Sequence, residues 1–417
     1  MIILLFIILL CLFNRYRRQQ GTTKLLLFGY LVSSAFSLMK YLFQINMDEP
    51  ADSMAILYYI VCIYILLFPY LKRGTYTSQN YYFPPRLIRI ISFVLIIGGL
   101  VNLYYSVPRL FTIQTLVNNI SDIRQAYYQG TDILNLGSQS LLEVLSNVLL
   151  YLSYLAPICC VYYYLRSNYT LAILLFVSSF ARPVNLMIIG EREAILIWVS
   201  NYLFAYFFFL DQFTELARKK ISKIGLLVSS PLLFFFILMT FSRFSDSDGG
   251  IMGSIITYAG DQPFNFSKYF TQLSSQALGG KLNFSYLFPE DERLTGLITD
   301  HFSTSIDVNS FASIVGSYFL DFGYWTIFVV FVVSVIFSVL FKVIARRTNG
   351  KLPFAHFFVL LFLYQILFMG IFYNDISSVY YVGCFFFVLG CLLLYSFFFT
   401  KEKGQCKNDV CLPQILS

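Results

Sequence analysis

Apolar stretches long enough to cross a bilayer recur from one end of this chain to the other, and they leave it one class of fold. A hydrocarbon core about 30 Å thick takes about 20 mostly apolar residues per helix. Inside it no water can satisfy the backbone, so each segment must bond its own N–H and C=O groups. Such helices are predicted at 1–13, 25–43, 54–71, 87–105, 141–165, 169–189, 194–210, 224–241, 316–341, 353–373 and 376–399. With 58% hydrophobic and 12% charged residues and a mean hydropathy of +0.70, the chain lies outside the range of soluble domains. The expectation is an all-α polytopic integral membrane protein of about 11 transmembrane helices, built as a single transmembrane domain over 1–417.

Charge orients it. Twenty of the 29 Lys and Arg residues, but only four of the 22 Asp and Glu residues, fall on one side of this layout. Arg15, Lys72, Arg86, Arg166, Arg218, Lys342, Arg347 and Lys401 are among them. The positive-inside rule makes that side cytoplasmic, which places the N-terminus periplasmic and the C-terminus cytoplasmic. The first segment, MIILLFIILLCLF, carries no basic residue before its apolar run. Its charges follow the run, as expected of an uncleaved helix with its N-terminus outside. Six of the cysteines fall in predicted helices and Cys406 and Cys411 in the tail, so no disulfide framework is expected. Two histidines without a CxxC cannot build a zinc cluster. The scattered basic residues form no patch for nucleic acid.

Two external connectors are long, 106–140 and 242–315, and long connectors are usually functional or disordered. The second holds apolar and aromatic residues throughout, among them Ile256, Tyr258, Phe266 and Phe270. That pattern suits short helices lying on the membrane surface and capping the bundle. Its last part, DVNSFASIVGSYFLDFGYW, enters the ninth helix with Asp321 near the predicted start, where the dipole favours a carboxylate; Asp321 is either structural there or a substrate-binding residue.

The remaining nine basic residues lie on the side the positive-inside rule disfavours. Arg182 falls well inside the sixth helix, followed by Pro183, and Gly190-Glu191-Arg192-Glu193 makes the next external turn. Arginine at membrane depth costs a few kcal/mol and faces a cavity or a partner. A proline-broken helix at that depth is tolerated where it lines a cavity. Arg243 follows the eighth helix at the same interface, with Arg109 and Arg124 in the first long connector and Arg293 in the second. Arginine's planar fork binds phosphate or carboxylate in bidentate fashion, so this cluster suggests an anionic, lipid-linked substrate. Structural pairing is the competing explanation, Arg192 with Glu191 or Glu193 and Arg182 with a neighbouring carboxylate. Asp246-Ser247-Asp248 has the DxD spacing that can hold a divalent cation, a weak signal in a Gly/Ser-rich loop. Asp300 and His301 are candidates for a general base.

This arrangement resembles the O-antigen polymerases (oligosaccharide repeat-unit polymerases) of bacterial inner membranes. The resemblance covers nearly the whole chain: the helix number, two large periplasmic loops and periplasmic arginines. Locally it rests on GEREAILIW at 190–198, SRFSDSDGG at 242–250 and NSFASIVGSYFLDFGYW at 309–325. The related O-antigen ligases often carry a His-Asn pair in their large loop. Here His301 is followed by Phe302, which counts against a ligase. The resemblance implies a GT-C-like, metal-independent glycosyltransferase that needs no cofactor and acts on undecaprenyl-diphosphate-linked oligosaccharide at the periplasmic face. A chain-length regulator protein is a candidate partner. Arg192 and Arg243, with Arg182, would stabilise the leaving diphosphate; Asp300, His301, Asp246 or Glu191 would serve as base. The alternative from another class is a flippase for lipid-linked oligosaccharide, which should keep its loops short.

Overall fold

The computed structural model describes residues 1–16, 21–45, 50–116, 140–188, 193–223, 225, 230, 250–273, 277–284, 313–345, 350–372 and 379–399. Among them the chain is helical throughout, and the only pairing of extended backbone is an isolated bridge between Tyr81 and Leu352. In chain order the helices are α1 Ile2–Tyr16, α2 Thr22–Phe43, α3 Ser53–Arg73, α4 Pro85–Leu116, α5 Leu141–Leu150, α6 Ala156–Leu165, α7 Tyr169–Ser178 and α8 Ala181–Ile188. They continue with α9 Glu193–Phe208, α10 Gly250–Gly260, α11 Gln262–Gln272, α12 Ser313–Phe322, α13 Thr326–Ile344, α14 Phe354–Met369 and α15 Val379–Phe399.

Among the described residues, five helical stretches are long and apolar enough to span a membrane: Thr22–Phe43, Ser53–Arg73, Pro85–Leu110, Tyr169–Ile188 and Ser313–Ile344. A sixth, α5 with the 153–165 stretch, qualifies as a pair bent by 54°. Shorter apolar helices lie at Ile2–Tyr16, Ala194–Phe208, Phe354–Met369 and Tyr381–Tyr395. Every predicted span except 224–241, which lies almost wholly outside the described residues, thus falls on helix. The protein is a helical membrane protein, with no named strand among the described residues.

Local chemistry sets the helix starts. Asp52 caps α3 by accepting the Ala55 N–H at 2.8 Å, Ser140 caps α5 through Glu143 N, and Asn168 caps α7 through Leu171 N. Each satisfies a donor that would otherwise be orphaned at the helix end. Pro183 stands in the first turn of α8, just after the chain leaves α7 at Ser179–Phe180. The break expected from that proline is present, because its missing N–H cannot continue the ladder.

At the core is α14, with 15 of its 16 residues buried, as a mostly apolar helix enclosed by others must be. Polar groups of α14 find partners across the bundle. The Tyr364 hydroxyl lies 2.6 Å from Ser200 Oγ, Gln365 Nε2 donates to Asn201 Oδ1, and the Leu367 carbonyl accepts from Tyr30.

Contacts sort the helix ends onto two faces. On one, Thr22 donates to the Gly74 carbonyl, Gln212 to Ser78, and Leu352 N to the Asn80 carbonyl. This face gathers the ends where the basic connectors attach. On the other, Lys40 pairs with Asp261, Asp52 N donates to Ser267 Oγ, and Ser313 N donates to the Phe372 carbonyl. The two long connectors open onto this second face, the connector face.

Candidate functional site

Close packing of α4 against two neighbours builds the ground for a polar seam near the connector face. A Cβ on Gly98 would stand 2.7 Å from Leu149 Cδ1, and one on Gly99 would stand 2.6 Å from the Ser178 carbonyl oxygen. Small residues at such crossings let membrane helices approach closely. One turn beyond, Asn102 is buried and donates Nδ2 to Asn147 Oδ1 of α5 at 2.7 Å. Ser106 Oγ donates to Asn102 Oδ1 at 3.1 Å. From α8, Asn185 Nδ2 reaches both Ser106 Oγ and Asn147 Oδ1 at 3.4 Å. Three helices thus meet through amides and a hydroxyl.

An ion pair closes the seam at its connector end. Arg109 and Glu143 form a two-pronged pair, with Arg109 Nη2 at 3.2 Å from Glu143 Oε2. Ser140 and Ser146 bond the Glu143 backbone N–H and carbonyl. Arg109 was expected in a loop; α4 instead runs past the predicted end at 105 to Leu116, and its helical spacing puts Arg109 beside α5. The pair neutralises Arg109, so the seam carries little net charge there. Arg182 stands one turn before Asn185 on α8, partly buried, with Tyr154 within electrostatic reach.

Asp321 has a different place from the one predicted. The helix containing it starts at Ser313 and ends at Phe322, so Asp321 stands in the last turn. The dipole there disfavours a carboxylate. Three donors compensate: Leu282 N at 2.9 Å, Asn283 N at 2.7 Å and Asn283 Nδ2 at 2.5 Å. Asn283 also donates to the Ser317 carbonyl and accepts from Ser317 Oγ. The fully buried carboxylate ties the turn at 279–283 to α12. Asp321→Asn would set an amide N–H2 against backbone N–H donors, an unsatisfied contact worth about 1–3 kcal/mol. We expect lower thermal stability and faster tryptic cleavage after Lys281; unchanged values of both would mean other contacts hold this turn.

Of the sequence-predicted site residues, the structure places Arg182 beside the seam and Asp321 at the turn across the connector face. Arg124, Glu191, Arg192, Arg243, Asp246, Arg293, Asp300 and His301 lie outside the described residues. Sequence reasoning missed Asn102, Ser106, Asn147 and Asn185. Each asparagine interrupts an apolar run (LVNLYY, LSNVLL, PVNLMI), a signal available in the sequence. Among the described residues no group of three His, Cys, Asp or Glu side chains is placed to hold a metal. No family model, curated protein or solved structure matches the chain.

Proposed function

We propose that this chain is a metal-independent glycosyltransferase of the oligosaccharide repeat-unit polymerase type, acting on lipid-diphosphate-linked glycans at the periplasmic face of a bacterial inner membrane. The observation that carries the proposal is the polar seam of α4, α5 and α8. It lies in a helical membrane protein near the helix ends from which the first long connector leaves and near the end of α8 at Ile188. Polar and ionisable groups at that depth are costly and mark substrate paths by default. Neutral amides and hydroxyls suit a sugar, and Arg182 with Arg192 suits an anion.

In the transfer, an acceptor hydroxyl on a new lipid-linked unit attacks the anomeric carbon of the growing chain's reducing-end sugar. The bond from that carbon to the diphosphate oxygen breaks, and the lipid diphosphate leaves with the electron pair. The hydroxyl proton passes to a base, for which Asp300, His301, Asp246 and Glu191 are the candidates. Arginines fixed where the diphosphate charge grows lower the barrier and supply the charge stabilisation that a metal ion would otherwise give.

Deletion of the gene in its host, followed by gel analysis of the surface polysaccharide, tests this. Loss of the repeat ladder with a single unit retained supports a polymerase; an unchanged ladder rules it out. A flippase is the second reading, favoured by the mid-span polar contacts between α9 and α14 at Ser200, Asn201, Tyr364 and Gln365. It predicts loss of even the single unit. The orientation has its own check: with an impermeant thiol reagent on intact spheroplasts, Arg243→Cys should label and Arg218→Cys should not. The opposite pattern would invert the topology.

A further inference from the structure

The second long connector is expected to carry short helices on the membrane surface; its first two helices pack along α2 and α3. Helix α10 starts beside the end of α2, where a Cβ on Gly253 would be 3.5 Å from Ile45. It then runs inward along α2, until a Cβ on Gly260 would lie 2.5 Å from the backbone at Phe36 and Ser37. At the corner Ser37 Oγ donates to the Gly260 carbonyl at 2.8 Å, and Ser33 Oγ donates to the Ala259 carbonyl and to Gln262 Oε1, each at 3.1 Å. Helix α11 climbs back out along α3. Ser267 Oγ accepts from Asp52 N at 2.7 Å, and Phe266 stacks on Tyr58.

Ser33 lies about 15 Å below Phe43 along α2 at the helical rise of 1.5 Å per residue, half the thickness of a hydrocarbon core. The outer end of α2 exposes Tyr41, Leu42 and Phe43, an apolar surface that places lipid at least that high. The corner of the hairpin is therefore below the lipid surface. Non-helical backbone is tolerated there only when protein encloses it, and Ser33 and Ser37 do so. Lys40 sits one turn nearer the surface. Helical side chains lean toward the N-terminus, which directs its ammonium down to the Asp261 carboxylate at the corner. The pair is nearly shut off from solvent, with side-chain exposures of 5% and 18%, and the Phe264 ring lies 5.3 Å from the ammonium.

We propose that residues 250–272 form a re-entrant helical hairpin, latched at its corner by the Lys40–Asp261 ion pair, which anchors the second long connector in the outer half of the bundle. Neither charge can leave the other without standing alone at membrane depth, so the pair holds the hairpin inserted.

Single cysteines placed in a variant lacking the eight native ones test this with an impermeant thiol reagent. Membrane vesicles of mixed orientation make the outcome independent of which face is outside. Gln272→Cys, at the exposed exit, should label at once, while Tyr258→Cys near the corner should label only after solubilisation. Adding Lys40→Ala should open position 258 to the reagent, and the swap Lys40→Asp with Asp261→Lys should close it again. Equal labelling at 258 and 272 in the parent would overturn the re-entrant hairpin. Undiminished protection in Lys40→Ala would overturn the latch. Should Lys40→Ala fail to accumulate, recovery of protein in the swap supports the latch and failure to recover counts against it.

Discussion

Arg192→Ala and Arg243→Ala should each cut repeat-unit polymerisation about 10²–10³-fold, a barrier increase of about 3–4 kcal/mol, while the protein still inserts and accumulates. The expectation rests on the polymerase proposal. A diphosphate gains charge as the glycosidic bond breaks, and in a water-poor site fixed cations are worth far more than in solvent. Lysine at either position should rescue only in part, because a point charge cannot reproduce the bidentate fork. Full activity in both alanine variants at normal protein levels would assign these arginines to structure. Dependence on a divalent cation would instead make Asp246 and Asp248 its ligands.

The second large effect is on stability. Glu143→Ala strips Arg109 of its partner at the connector end of the seam, where Glu143 is buried and the Arg109 side chain keeps 28% exposure. Removing one partner of such a pair costs about 3–5 kcal/mol, and the residual exposure of Arg109 places the loss at about the lower end. The variant should lose its monodisperse detergent peak at a clearly lower temperature than the parent. Replacing both residues by leucine should restore most of the difference, since an apolar pair of similar volume is often neutral. A Glu143→Ala protein as heat-resistant as the parent would mean that the pair contributes nothing.

Hydropathy made the spans legible because transfer into lipid is a local property of each segment. Thr22–Phe43, Ser53–Arg73 and Ser313–Ile344 all fall where apolar runs of the right length predict them. The break before α8 was legible too, from Pro183. The bend between α5 and α6 was not, because no proline or glycine stands at the turn between Leu150 and Ser153. The hairpin of α10 and α11 escaped because each helix has 11 residues, too few to read as a span. Its decisive partner, Lys40, lies 221 positions away from Asp261. Asp321 was assigned to the wrong end of its helix because the short Ser313–Phe322 element and the Gly323 break are set by tertiary contacts, not by the apolar run. The seam shows the same division. Asn102, Asn147 and Asn185 are each visible as a polar residue in an apolar stretch, yet only the crossing of three helices reveals that they bond to one another.

The proposed polymerase would join lipid-linked repeat units through its own charged side chains. The direct measurement uses the purified protein in liposomes, supplied with undecaprenyl-diphosphate-linked repeat units and a chelator in place of divalent cations. A polymerase should yield a ladder of products growing by whole repeat units, absent from a matched preparation of the Arg192→Ala variant. Substrate left entirely at the length of one unit, both with the chelator and with added magnesium or manganese, would contradict the proposal.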